Sequence, residues 1–219
     1  LLKGDGEQAE HITYGSTLSA DGNASRQFDF MLSNPPYGKS WKTDAEKMGG
    51  KKDILDSRFN AYLEDGTSLT MLPKTSDGQL LFLFNNISKM KKDTELGSRI
   101  AEVHNASSLF SGDAGSGESN ARRFVIENDL VEAIIALPEI MFYNTSLSTY
   151  IWVLTNKKEA RRKGKIQLID ASSMKSPLKK NMGKKNCELT PDLQKEIVRI
   201  FMSMEESEVS RIFNNEEFG

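Results

Sequence analysis

The chain is poor in the residues that build covalent or metal-held scaffolds. Among 219 residues there is one cysteine, Cys187, and there are two histidines, His11 and His104. A single cysteine excludes an internal disulfide and a Cys-based metal site. Two histidines leave little for a histidine-rich centre, so no structural metal is expected. No apolar run approaches ~18 residues, so nothing is expected to span a membrane, and no basic segment followed by an apolar stretch suggests secretion. These absences predict a cytoplasmic protein. The sequence opens Leu1-Leu2-Lys3 without an initiator methionine, which predicts a piece of a longer protein with further function upstream.

Charge is abundant and unevenly placed. The formal net charge is −2, from 29 Lys/Arg and 31 Asp/Glu. Residues 157–185 carry eleven Lys/Arg against only Glu159 and Asp170, whereas residues 186–219 are acidic. A basic belt inside an acidic chain suits a polyanion. A solvated loop and hairpin would produce the same pattern.

Apolar runs of strand length alternate with helical stretches. Phe28–Leu32 is β-compatible and ends at Ser33-Asn34-Pro35-Pro36, which stops any regular element. Residues 78–92 place Leu80, Leu83, Phe84, Ile87 and Met90 on one helical face, with Asp77 as N-cap and lysines at the end. Arg99–Val103 is the next strand, and Asn120–Asn128 a helix with Phe124 and Val125 inward. Leu130–Leu137 is apolar enough to be covered on both faces. Tyr150–Leu154 and Lys165–Ile169 follow as strands. Thr190-Pro191 opens a last helix, Thr as N-cap and Pro at the first position. This order predicts an α/β layer fold with a mainly parallel sheet. Residues 38–66 are expected to form a long loop or a small helical insertion, and 190–217 terminal helices.

The informative segment is Phe28-Asp29-Phe30-Met31-Leu32-Ser33-Asn34-Pro35-Pro36-Tyr37. Ligands in open α/β sheets bind beyond the carboxyl ends of strands, where this tetrapeptide falls. Two prolines fix φ and remove two donors but leave their carbonyls as acceptors. Asn34 adds an amide and Tyr37 a flat ring. Together they suit a planar amino group: two acceptors take its N–H bonds while the ring stacks on its π face. That arrangement aims the nitrogen lone pair at an electrophile. A Pro-Pro turn closing a strand is the plainer alternative.

Asn-Pro-Pro-Tyr after a strand is similar to the catalytic motif of S-adenosylmethionine-dependent amino-methyltransferases. From about residue 11 to about residue 204 the chain resembles the methylation subunits of type I restriction–modification systems, which are N6-adenine DNA methyltransferases. Gly15-Ser16-Thr17-Leu18 is similar to the family's Gly-Asp-Thr-Leu cofactor motif, with Ser16 in place of Asp. Asp77–Leu83, Arg99–Arg123 and Ile169–Ser172 also resemble the family, and Leu130–Pro138 through Phe142-Tyr143-Asn144-Thr145 is the most specific stretch.

The resemblance implies a Rossmann-like α/β methyltransferase sheet with flanking helices, incomplete at the N-terminus. The glycine-rich methionine-binding loop and the acidic residue for the ribose hydroxyls are absent from the chain. Residues 1–170 would be the catalytic part and 171–219 a C-terminal extension with helices for subunit docking. Asn34, Pro35, Pro36 and Tyr37 would be catalytic, with S-adenosylmethionine as cofactor near Ser16, Thr17, Leu18 and Asn34. Tyr37, Tyr143, Asn144, Arg122 and Arg123 would meet the substrate, a flipped adenine in double-stranded DNA. Implied partners are a specificity subunit, a restriction subunit and a second methylation subunit. The same tetrapeptide would also serve methylation of a protein glutamine or an RNA base, and the fragment alone could be a non-catalytic docking module.

The remaining candidates are open. Ser111–Gly117 could approach phosphate through backbone N–H groups, helped by Arg122 and Arg123, or be a mobile loop. Phe142 suits core packing, and His104 local bonding. Trp41 is a lid residue or a loop anchor.

Overall fold

The computed structural model describes residues 12–62, 66–143 and 145–218. A six-stranded sheet organises the chain: β1 (Phe30–Ser33), β4 (Arg99–Asn105), β5 (Val131–Ala136), β6 (Thr149–Thr155), β7 (Lys165–Asp170) and β10 (Ser210–Asn214). Its spatial order is β1-β4-β6-β5-β7-β10. β1 pairs parallel with β4, and β5 with β7. β6 lies antiparallel between β4 and β5, and β10 is antiparallel to β7. Four of the six strands therefore share one direction, as expected of a mainly parallel sheet, but most neighbouring pairs are antiparallel. The reversal has a local cause. β5 and β6 are joined through residues 137–148 without a crossover helix, so β6 must return antiparallel to β5.

Side-chain alternation fills two cores. On one face Met31, Ile100, Trp152, Leu154 and Ile166 are buried against α2 (Gln79–Ile87) and α4 (Gly117–Glu127). Helix α2 contributes Leu80, Leu81, Leu83 and Phe84, and α4 contributes Ala121 and Val125. On the other face Ala133, Ile135, Val153 and Ile169 pack against Ile197 and Ile200 of α5 (Pro191–Ser203). Each such aliphatic side chain taken out of water contributes about 1.5–3 kcal/mol. Thr190 caps α5 as the sequence predicts, its hydroxyl accepting the Leu193 N–H, with Pro191 opening the helix. At α2 the N-cap is Gly78; Asp77 sits one residue earlier and accepts from the Gln79 N–H at 3.2 Å. Lys89 does not end that helix toward solvent. It is buried and paired with Asp21.

The connecting segments hold what periodicity did not reveal. Residues 38–70 form α1 (Lys42–Lys47) and a small hairpin of β2 (Asn60–Tyr62) and β3 (Ser68–Thr70). A single turn, α3 (Ser107–Phe110), precedes α4. A second hairpin, β8 (Ser176–Met182) and β9 (Lys185–Glu188), follows β7. The expected terminal helices over 190–217 are α5, which ends at Ser203, and a short 3-10 turn, Asn215–Phe218; between them Met204 adopts a left-handed φ of 53°, and the chain turns back as β10 to extend the sheet. Residues beyond 170 thus complete the sheet edge and cover one face, so 170 marks no break in the fold. Among the described residues no helix is long and apolar enough to cross a membrane.

Candidate active site

The carboxyl ends of β1, β4, β5 and β7 all lie at one end of the sheet. The loop Asn34–Tyr37 leaves β1 there. Pro35 is buried and anchors the turn, Asn34 and Pro36 are exposed, and Tyr37 is half-buried. Among the described residues no side-chain hydrogen bond engages the Asn34 amide. Burial raises the Tyr37 phenol above its ordinary value, so the ring stays neutral at physiological pH.

Trp41 fixes the far end of this loop. Its side chain is 2% exposed, its Nε1–H donates to the Lys74 carbonyl and its N–H to the Thr75 carbonyl, both at 3.0 Å. Trp41 is an anchor, not a lid. The clasped segment, Lys74–Gly78, is tied on two further sides. The Lys74 N–H donates to Glu118 Oε1 of α4 at 2.7 Å. Gln79 donates to Asp77 (2.7 Å), Asn105 Oδ1 (2.7 Å) and Ser107 Oγ (2.8 Å), and accepts from the Asn105 N–H (3.0 Å). The loops after β1 and β4 and the start of α4 are thereby joined through one polar cluster.

Ser16, Thr17 and Leu18 take different places. The Ser16 and Ser19 hydroxyls both donate to Asp44 Oδ1, at 2.5 and 2.6 Å. The carbonyls of Thr17 and Leu18 accept from Arg58 at 3.0 and 2.7 Å, and the Leu18 side chain is core. Arg58 also binds Asp56 and Asn85 and faces Asp21 at 3.8 Å, so this turn is clamped by half-buried charge. Burial opposes ionisation of Asp21, yet its bonds from Lys89 and the Asn23 N–H outweigh it and hold its carboxyl below the usual range.

Of the other expected contacts, Tyr143 is about half exposed (53%) on the loop after β5, at the same end of the sheet as Asn34. Asn144 lies outside the described residues. Arg122 donates to the carbonyls of Ser108 (3.3 Å) and Ser111 (2.7 Å), which closes the single turn before α4. Burial lowers its pKa, with Glu118 countering. Arg123 pairs with Glu127 at 2.7 Å on the helix surface. The glycine-rich loop 111–117 has a packing reason: a Cβ on Gly117 would stand 1.9 Å from the Leu72 carbonyl oxygen. His104 is wholly buried within β4, its Nε2 2.7 Å from Glu102 Oε1 and its ring against Trp152.

Asp44, Arg58, Asp77 and Gln79 hold these loops in place, and sequence reasoning did not single them out for it. Asp44 and Arg58 lie in the polar insertion, where no periodicity marks them. Asp77 and Gln79 sit at a helix start, where a capping role accounts for the residue types.

The chain matches the N-6 DNA Methylase family over residues 1–218. It is 30% identical over 181 residues to the type I restriction enzyme MjaIX methylase subunit of Methanocaldococcus jannaschii, covering 83% of this chain and 29% of that protein. The MpnII methylase subunit of Mycoplasma pneumoniae is likewise 30% identical, covering 82% and 28%. Among solved structures, a type I restriction–modification methyltransferase subunit from Streptococcus thermophilus superposes with a TM-score of 0.71 at 25% identity, covering 92% of this chain and 38% of that one. The chain spans under a third of the length of these curated relatives. On the family match and the shared fold, it belongs to the N-6 DNA methylase family.

Proposed function

We propose that this chain is the catalytic part of the methylation subunit of a type I restriction–modification complex, which methylates N6 of adenine in double-stranded DNA. The observation that carries the reading is the exposed, unengaged Asn34 amide beyond the carboxyl end of β1, on a loop held by buried Pro35 and Trp41, in a chain of this family.

A duplex hides the adenine amino group in its base pair, so the base has to swing out to reach the loop. Asn34 Oδ1 and the Pro35 carbonyl accept the two N–H bonds, and the neutral Tyr37 ring stacks on the base. Fixing both N–H bonds turns the nitrogen lone pair toward the methyl donor before reaction, so little reorganisation remains. The product cation loses its proton readily to solvent, and no side chain of raised pKa is needed as base. S-adenosylmethionine, when bound, supplies an electrophilic methyl group. The donor set fits it: Asp44, steadied by Ser16 and Ser19, would offer its second oxygen to an amino donor, and Asn34 would lie toward the transferred methyl group. A specificity subunit, a restriction subunit and a second methylation subunit are the partners of this reading.

Incubating the full-length protein and its partner subunits with labelled S-adenosylmethionine and duplex DNA, RNA or protein tests it. Label is expected in N6-methyladenine of the duplex. Label confined to RNA or to glutamine would replace the substrate.

A further inference from the structure

The basic belt separates into two groups at opposite ends of the sheet. The first lies between the end of β6 and the start of β7, away from Asn34, and four of its six cations are engaged, Lys163 and Lys165 being exposed. Lys158 pairs with Asp129 at 2.5 Å and donates to the Lys165 carbonyl at 2.7 Å. Arg161 donates to the carbonyls of Met202 and Ser203 at the end of α5. Arg162 donates to the Phe201 carbonyl and lies 4.1 Å above the Phe201 ring. Lys157 donates to the Thr94 carbonyl at 3.1 Å. Arg161 and Arg162 thus seat α5, while Lys158 and Lys157 tie the turn to Asp129 and Thr94.

The second group rides on the β8–β9 hairpin, which leaves β7 at the carboxyl end of the sheet. Between residues 175 and 188 stand Lys175, Lys179, Lys180, Lys184 and Lys185 against Glu188 alone. Among the described residues, none of these five ammonium groups forms an ion pair or hydrogen bond; Lys185 lies 5.2 Å from the Tyr143 ring centre. The hairpin itself is firmly seated. The buried Cys187 thiol donates to the Glu139 carbonyl at 3.3 Å, the Asn186 N–H to Ile140 O and the Lys184 N–H to Tyr143 O, both at 3.1 Å. The tip thus positions Tyr143, while Met182 beside it is 50% exposed.

We infer that this hairpin is a phosphate-gripping arm for duplex DNA, an inference resting on the methylation reading above. Four strand spacings separate β7 from β1, about 19 Å at ~4.8 Å each. Duplex DNA carries one charge per ~1.7 Å of axis, so about eleven phosphates fall within that span. Five unpaired like charges on a fixed arm repel one another unless a polyanion lies across them. Base-independent contact there would hold the duplex while the adenine is turned into the Asn34 loop.

The test is binding of the assembled full-length methyltransferase to its cognate duplex across a range of salt concentrations. The variants are a Lys179/Lys180/Lys184→Ala triple, the same three changed to Arg, and Lys163/Lys165→Ala as an opposite-end control. The alanine triple is expected to lower the salt slope by about 0.9 per lysine, ~2.7 in all. The arginine triple and the control should keep the wild-type slope. Equal slopes for wild type and the alanine triple, in a complex that methylates DNA, would overturn the arm and leave the methylation reading standing. Loss of subunit assembly with an unchanged slope would also overturn it, making the hairpin a protein contact. A wild-type complex that methylates RNA or protein but not DNA would overturn both.

Discussion

Gln79→Ala probes the polar cluster that joins the loops of the site. Gln79 is 2% exposed, and its truncation removes one acceptor and three donor contacts. Most groups left behind keep a partner. Asn105 Oδ1 still accepts from the Ser107 N–H at 3.0 Å, and the single Ser107 hydroxyl proton is shared between Asn105 Oδ1 at 2.5 Å and Asp77 Oδ2 at 3.1 Å. The Asn105 N–H loses its acceptor in a buried place, which costs about 1–3 kcal/mol. With the lost packing the total is about 2–3 kcal/mol. For a domain of this size that lowers Tm by roughly 5–10 °C, at about 2–4 °C per kcal/mol. Calorimetry on the full-length protein measures it, with Lys163→Ala as surface control. Gln79→Glu keeps the acceptor but sets a carboxylate against Asp77, so it should be no better at neutral pH and recover on acidification. A Gln79→Ala protein melting within ~1 °C of wild type would refute the cluster as a tie between the loops.

Three further outcomes follow from the same geometry. Gly117→Ala should destabilise by about 2–4 kcal/mol by chemical denaturation, because the Leu72 carbonyl occupies the Cβ position; helix propensity alone would stabilise by about 1 kcal/mol. Burial opposes ionisation of Asp129, but bonds from Lys158, the Gly164 N–H and Asn215 outweigh it and hold the carboxyl below its usual range. Ionised Asp129 therefore adds stability above about pH 3.9 that is lost as pH falls through the lower folded value. Asp129→Asn, leaving Lys158 buried without an anion, should cost about 3 kcal/mol at pH 7, with the gap to wild type narrowing in acid melts below about pH 4. Isothermal titration of this 219-residue chain with S-adenosylmethionine should show weak or no binding, since Ser16 stands where the resembled cofactor motif has Asp and its hydroxyl is committed to Asp44; micromolar affinity would show that the turn needs no Asp there.

Strands β1, β4, β5, β6 and β7 and helices α2 and α4 were legible because their apolar periods are strong. Leu130–Leu137 is apolar on successive residues, and β5 is indeed shared between the two cores, Ile134 facing one and Ile135 the other. The α5 boundary was legible from Thr190-Pro191, since cap chemistry is local. Its continuation was not. Phe213 and Phe218 fit a helical face as well as a strand and turn, and only pairing with β7 decides between them. The Asn34–Tyr37 loop could be read because a Pro-Pro turn after a strand is a sequence-local device. The clamp around it was hidden, because Trp41 with Lys74, Ser16 with Asp44 and Gln79 with Asn105 meet across 26 to 33 residues. The basic belt shows the same limit. Charge counting treats Arg162 and Lys180 alike, although one is 2% exposed under α5 and the other is on an open arm.

Methyl transfer by Asn34→Ala tests the central claim most directly. The variant is compared with wild type in the full-length, partner-bound enzyme, using labelled S-adenosylmethionine and a cognate duplex, with DNA binding measured in parallel. Losing one preorganised acceptor should lower the rate about 10²-fold or more while leaving DNA affinity nearly unchanged. Methylation at the wild-type rate would contradict the assignment of this loop as the place where the amino group is held.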